Sequence, residues 1–162
     1  MKLKKYLNEL ALRADTKIKV RKDTPLTTQV QVIVNPPMGA SFLVTMTTGK
    51  FYEQEVVDLI GDSNLPEKIS AEPPYKSLYL FFEDSELNTS TSPKEKGVAI
   101  KLFAALEELI TKKIKTTNPD VIWFSGFGRS KNKLYHLLAK KIAKGIKGEY
   151  QEAEGTFLVY KT

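Results

Sequence analysis

Six consecutive residues, Ser77-Leu78-Tyr79-Leu80-Phe81-Phe82, are one serine and five apolar or aromatic side chains. A strand with one wet face alternates polar and apolar positions. A run without alternation belongs in the middle of a sheet covered on both sides. This constrains the rest of the chain, which must supply strands to either side and helices above and below. With 162 residues and 41% hydrophobic content, the chain can bury one ordinary core and is short for two. A single domain over 1–162 is expected.

The flanking segments supply what that strand needs. Leu3, Tyr6, Leu7 and Leu10 recur at helical spacing, so 2–13 reads as an amphipathic helix, followed by a basic, irregular stretch up to residue 28. Gln29 to Val34 alternates with period two and stops at Asn35-Pro36-Pro37. Ala40 to Thr47 reads as a second strand, Thr48-Gly49-Lys50 as a turn, and Phe51 to about Leu59 as a third strand, together an antiparallel meander. Residues 61–75, rich in Gly, Asp, Asn, Pro and Glu, form the longest connection.

Beyond the central strand, Ser92-Pro93-Lys94-Glu95 is a helix-start signature, with Ser at the cap, Pro in the first turn and Glu three residues after the Ser. Ala99, Leu102, Phe103, Leu106, Leu109 and Ile110 then share one side of a helix to about Lys115, which Asn118-Pro119-Asp120 ends. Val121–Ser125 is a short buried strand, Gly126 to Gly128 a turn, and Ser130 to Lys144 a helix stopped by Gly145. Glu149–Ala153 and Thr156–Tyr160 flank Glu154-Gly155 as a hairpin. Strand, helix, strand, helix in succession implies a parallel pair. The fold class is α/β with a mixed sheet and α+β character: an antiparallel meander (29–83) joined to a parallel pair flanked by helices (84–162).

Composition excludes several chemistries. Without cysteine there is no disulfide, thiolate metal site or cysteine nucleophile, and with one histidine no metal cluster is expected. His136 lies among lysines and reads as a surface or structural residue. The basic N-terminus is interrupted by Asn8, Glu9 and Arg13, unlike a signal peptide, and no segment is long enough to span a membrane, so a cytoplasmic protein is expected. The net charge of +6 is uneven: eight Lys/Arg against two acids over 1–22, three against ten over 23–93, and fourteen against seven over 94–162. The helix within 130–147 presents Lys131, Lys133, Lys140, Lys141, Lys144 and Lys147, a charge that suits phosphate contacts with nucleic acid or simply a solvated face.

In its element order from the second strand onward, the chain resembles the GNAT superfamily of acyl-CoA N-acyltransferases. Lys94-Glu95-Lys96-Gly97-Val98-Ala99 resembles that family's pyrophosphate loop, R/Q-x-x-G-x-G/A, with Lys94 in place of Arg or Gln. Lys133-Leu134-Tyr135-His136-Leu137-Leu138 is similar to its Leu-Tyr helix, and Val121–Ser125 stands where the family strand splays from its neighbour to admit the pantetheine arm. The block from Phe81 to Lys140 also looks like phage-encoded proteins of this fold, which would place it in a host cytoplasm.

The resemblance implies acetyl-CoA or another acyl-CoA as co-substrate, an amine as acceptor, and no metal. It implies cofactor contacts from Lys94, Lys96, Gly97, Val98, Ala99 and Ser125, a general acid in Tyr135, and a general base in Glu83 at the end of the central strand. Physically, a pyrophosphate is well held by unpaired N–H groups at a helix N-terminus. The same stretch also reads as the first turns of the helix capped by Ser92. Tyr135, at helical spacing with Leu138 and Ile142, also reads as a packed core residue. One departure stands out. The family places a strand and two helices before the meander, whereas here only the first helix and residues 14–28 precede it, with Lys17 to Val20 the sole candidate for that strand. A non-catalytic binding protein on the same scaffold is the alternative function.

Overall fold

A computed structural model describes residues 16–34, 40–84, 106–125 and 132–162. The first helix read at 2–13, the Asn35-Pro36-Pro37 stop, the helix start at Ser92 and the turn at Gly126–Gly128 lie outside them. The described strands are β1 (Thr16–Asp23), β2 (Thr27–Val34), β3 (Ala40–Phe51), β4 (Tyr75–Asp84), β5 (Val121–Ser125), β6 (Gly148–Ala153) and β7 (Thr156–Lys161). The described helical segments are α1 (Glu53–Ile60), α2 (Leu65–Lys68), α3 (106–117) and α4 (Asn132–Ile146). The strands form one mixed sheet in the order β1-β2-β3-β4-β5-β7-β6. The unbroken apolar run of β4 thus has three strands to each side, and the α/β expectation holds. No helix among the described residues is long and apolar enough to cross a membrane.

The chain divides into two compact units. The first comprises Met1–Met46 and Phe82–Lys112. Here the basic stretch, in which Lys17 to Val20 was the sole strand candidate, holds a longer strand: β1 pairs antiparallel with β2 from Thr16↔Val34 to Asp23↔Thr28. Its lysines had obscured the pattern, yet Lys17, Lys19 and Arg21 alternate with Ile18 and Val20, and charge suits a strand at the edge of a sheet. The register shifts between Val20 and Lys22, and Arg21 donates from Nε and Nη2 to Gln31 Oε1 at 3.1 and 2.7 Å. Thr24 closes the hairpin, its N–H donating to the Thr27 carbonyl at 2.9 Å while its hydroxyl accepts from the Thr27 N–H at 3.0 Å. Val30, Val44, Met46, Phe82, Leu106, Leu109 and Ile110 are buried.

The second unit comprises Thr47–Phe81 and Lys113–Thr162, and three expectations fail in it. Thr48-Gly49-Lys50 is not a turn, because β3 runs through it to Phe51, and the segment read as a third strand is the helix α1. The Glu55 carboxylate accepts the Tyr52 backbone N–H at 2.6 Å, Glu53 and Glu55 favour the positive N-terminal end of the helix dipole, and Gly61 ends it at φ 81 with its N–H on the Val57 carbonyl. Val56 is buried, with Leu59 and Ile60 packed on the same cluster. The third expectation to fail is the stop at Gly145: α4 runs through it to Ile146, and Lys147 takes the left-handed conformation at φ 56.

Other expectations hold. Asn118, at φ 49, ends α3 by donating its N–H to the Ile114 carbonyl at 2.7 Å. β5 spans Val121–Ser125 and is parallel to β4. The terminal hairpin turns on Glu154 and Gly155, both at positive φ (51 and 85), the signature of a type I′ turn. Its two faces are covered separately. α1 packs with Leu158 and Tyr160 of β7, whereas Tyr135 of α4 meets Phe157.

Candidate functional site

The parallel pair is the natural place to look for a ligand, because open sheets of this kind bind at the carboxyl ends of parallel strands. Ser77, Leu78, Tyr79 and Leu80 lie opposite Val121, Ile122, Trp123 and Phe124. Registered pairing with β4 ends at Phe124, but β7 accompanies β5 one residue further, Ser125 opposite Thr156. Ser125 is therefore in register with a neighbour on one side. Its Oγ lies 3.2 Å from Thr156 Oγ1, and either hydroxyl can donate.

Strand alternation sends neighbouring side chains to opposite faces. Trp123 packs against the cluster under α1, and Ser125, two residues on, shares that face. Phe124 points the other way and meets Tyr135 of α4 at a centroid distance of 6.1 Å. Tyr135 is 1% exposed and also lies 6.4 Å from Phe157, which stacks on Phe124 at 5.1 Å. The two expected site residues Ser125 and Tyr135 are thus on opposite faces of the sheet. Glu83 is exposed near the end of β4, in the first unit. Lys94, Lys96, Gly97, Val98 and Ala99 lie outside the described residues.

His136 has a structural setting. Its Nδ1 is 3.2 Å from the Tyr150 hydroxyl, and its ring stands edge-on to Phe157 at 4.8 Å. Along α4, Lys133, Lys140, Lys141 and Lys144 are exposed, as is Leu137 at 53%.

Two constellations escaped the sequence. The first is a row of half-buried aromatic rings on the α1 face. Tyr79 and Trp123 are register partners and stack at 4.0 Å, Phe51 tilts onto Trp123 at 5.5 Å, and Phe81 continues the row 6.1 Å from Tyr79. The indole Nε1 of Trp123 is buried with no hydrogen-bond partner among the described residues, a condition that costs about 1–3 kcal/mol. Tyr79 makes no hydrogen bond among the described residues, and burial pushes its phenol above the usual range. A buried indole N–H ordinarily finds a partner, so one without any among the described residues is a feature to explain.

The second constellation is a polar network at the hairpin's outer edge. Asp62 Oδ2 accepts from Gln151 Nε2 at 3.2 Å and pairs with Lys68 Nζ at 3.3 Å, while Oδ1 accepts the Asn64 backbone N–H at 2.9 Å. The Asn64 N–H, then Gln151 and Lys68, hold the carboxyl below its usual range. Gln151 Nε2 also donates to the Tyr160 hydroxyl at 3.3 Å, and that hydroxyl donates to Glu149 Oε2 at 3.4 Å. This network ties the loop after α1 to the hairpin and has every member partnered, which suits a structural role. Its members are far apart in sequence, and only strand alternation on β6 and β7, with Glu149, Gln151 and Tyr160 on one face, hints at it. We found no match to the chain among family models, curated proteins or solved structures.

Proposed function

We propose that the chain is a GNAT-like N-acyltransferase that moves an acetyl or other acyl group from acyl-CoA to an amine. The observation that supports this most is the end of the parallel pair, where β5 outruns its registered pairing with β4 by Ser125 and a helix follows in the chain. The end of registered pairing at that point suits entry of a pantetheine arm. In this reading the amine nitrogen attacks the thioester carbonyl and its proton passes to a carboxylate or to water. The tetrahedral intermediate then collapses with cleavage of the C–S bond, and the Tyr135 hydroxyl protonates the departing thiolate. Lys94, Lys96 and the backbone of Gly97, Val98 and Ala99 hold the pyrophosphate.

The burial of Tyr135 among Phe124 and Phe157 favours a second reading, a non-catalytic binding protein on the same scaffold. Thermal denaturation with acetyl-CoA or CoA separates the two. Ligand at a hundred times its dissociation constant stabilises the fold by about 2.7 kcal/mol. Gly97→Glu, which sets a negative charge beside the phosphate, abolishes the shift. Tyr135→Phe keeps the shift and lowers turnover of an amine panel. No shift for the wild type at millimolar acetyl-CoA overturns the acyltransferase reading.

A further inference from the structure

The aromatic row on the α1 face combines three properties that a merely structural cluster does not need together. Its rings are half-exposed where the sheet could have carried polar side chains, since Phe51, Tyr79, Phe81 and Trp123 occupy that face while Leu78 and Leu80 fill the buried one. Two of its rings carry hydrogen-bond donors, the Trp123 indole N–H and the Tyr79 hydroxyl, that meet no acceptor among the described residues. It also adjoins Ser125, one pleat away on the same strand face, a separation of about 6.6 Å. Apolar walls with a few unanswered polar atoms are the usual make-up of a small-molecule site.

What the buried Trp123 N–H lacks is an acceptor among the described residues, and what the rings offer is apolar contact. A carbonyl group at the end of an apolar chain supplies both. No charged side chain is bonded to the row among the described residues, so nothing in it selects a charged ligand. We propose that Phe51, Tyr79, Phe81 and Trp123 form the binding surface for the acyl group of the substrate, and that this group is a medium-length or aryl chain rather than acetyl. The inference rests on the acyltransferase reading for the identity of the carrier. An acetyl group at Ser125 is too short to cross one pleat to the rings, whereas an octanoyl chain reaches them and buries apolar surface there.

Trp123 is the sole tryptophan, so its fluorescence reports on this surface directly. The experiment titrates the full-length protein with CoA, acetyl-CoA and octanoyl-CoA, following Trp123 emission and melting temperature. Octanoyl-CoA is expected to bind at least about tenfold more tightly than acetyl-CoA and to shift the emission, which CoA alone leaves in place. Phe81→Ala removes that preference without changing the affinity for CoA. Tyr79→Phe, which keeps every ring and deletes one hydroxyl, serves as the variant least able to disturb the fold and weakens octanoyl-CoA binding selectively. If CoA and acetyl-CoA bind and octanoyl-CoA binds no more tightly, with the emission unmoved, the acyl-chain inference is overturned and the acyltransferase reading stands. If none of the three binds, that reading fails, and octanamide, an apolar chain with a carbonyl and no CoA, decides the surface by itself. A shifted emission with octanamide keeps the surface as an apolar carbonyl site, and an unchanged one overturns it.

Discussion

Gly148 shows how one position can be closed to every side chain. It opens β6 opposite Lys161, and a Cβ built on it would overlap the carbonyl of Tyr160, a backbone atom held in the sheet. A flexible side chain could step aside, but a paired strand cannot. Gly148→Ala is therefore expected to destabilise the protein by about 1–3 kcal/mol, the range for forced overpacking, measured as a lowered urea midpoint at unchanged m-value. An unchanged midpoint would mean that the hairpin end yields. Nothing in the sequence marks this glycine, which looks like an ordinary linker between α4 and β6. The opposite case is Tyr135, whose packed setting is readable from its helical spacing with Leu138 and Ile142, all three buried.

Among the elements, α1 and α4 differ most from their sequence reading, and two glycines decide the matter. The segment 51–60 carries aromatic and β-branched residues, Phe51, Tyr52, Val56 and Val57, which favour a strand, and the same stretch carries Glu53 and Glu55 in the first turn of a helix. Over so short a stretch the two periods overlap, and Gly61 at φ 81 is the feature that only the helix needs. Gly61→Ala is expected to lose about 1 kcal/mol, because an L side chain is strained in the left-handed region. Gly145 was read as a stop, yet it lies inside α4 with open space around its Cα and the left-handed residue is Lys147. Gly145→Ala should then stabilise the protein by about 0.5–1 kcal/mol. Urea unfolding of the two variants gives shifts of opposite sign, and two losses would restore Gly145 as the helix end.

For the molecule as a whole, burial of phenols sets an alkaline limit. Burial pushes Tyr75, Tyr79 and Tyr160 above the usual tyrosine range, with the charges of Glu53 and Asp120 adding to the shift at Tyr75 and that of Glu149 at Tyr160. An acid whose folded value exceeds its unfolded one stabilises the fold fully below the unfolded value and loses that contribution as the pH rises through the folded one. The urea midpoint is expected to be level below about pH 10 and to fall above it. Tyr75→Phe should soften that fall, and an alkaline limb identical to wild type would mean Tyr75 ionises as freely in the fold as out of it.

Strand β5 was readable to the residue, because Pro119-Asp120 and Gly126 bound five residues that have no polar alternation to confuse them. The central position of β4, its parallel partner and the closing hairpin were readable for the same reason: long apolar runs and turn residues act locally, whatever the chain does elsewhere. The lysine-rich β1 was readable only in part, as the candidate strand Lys17 to Val20, since its charges suit a sheet edge, a position set by other strands. Tertiary structure alone decided the aromatic row as well. Tyr79 and Trp123 stack because the parallel register sets them opposite each other, and Phe51 reaches them because β3 runs past its expected turn. Local sequence carries the period of each strand, but which rings meet is set by register between segments distant in the chain, which no local pattern encodes.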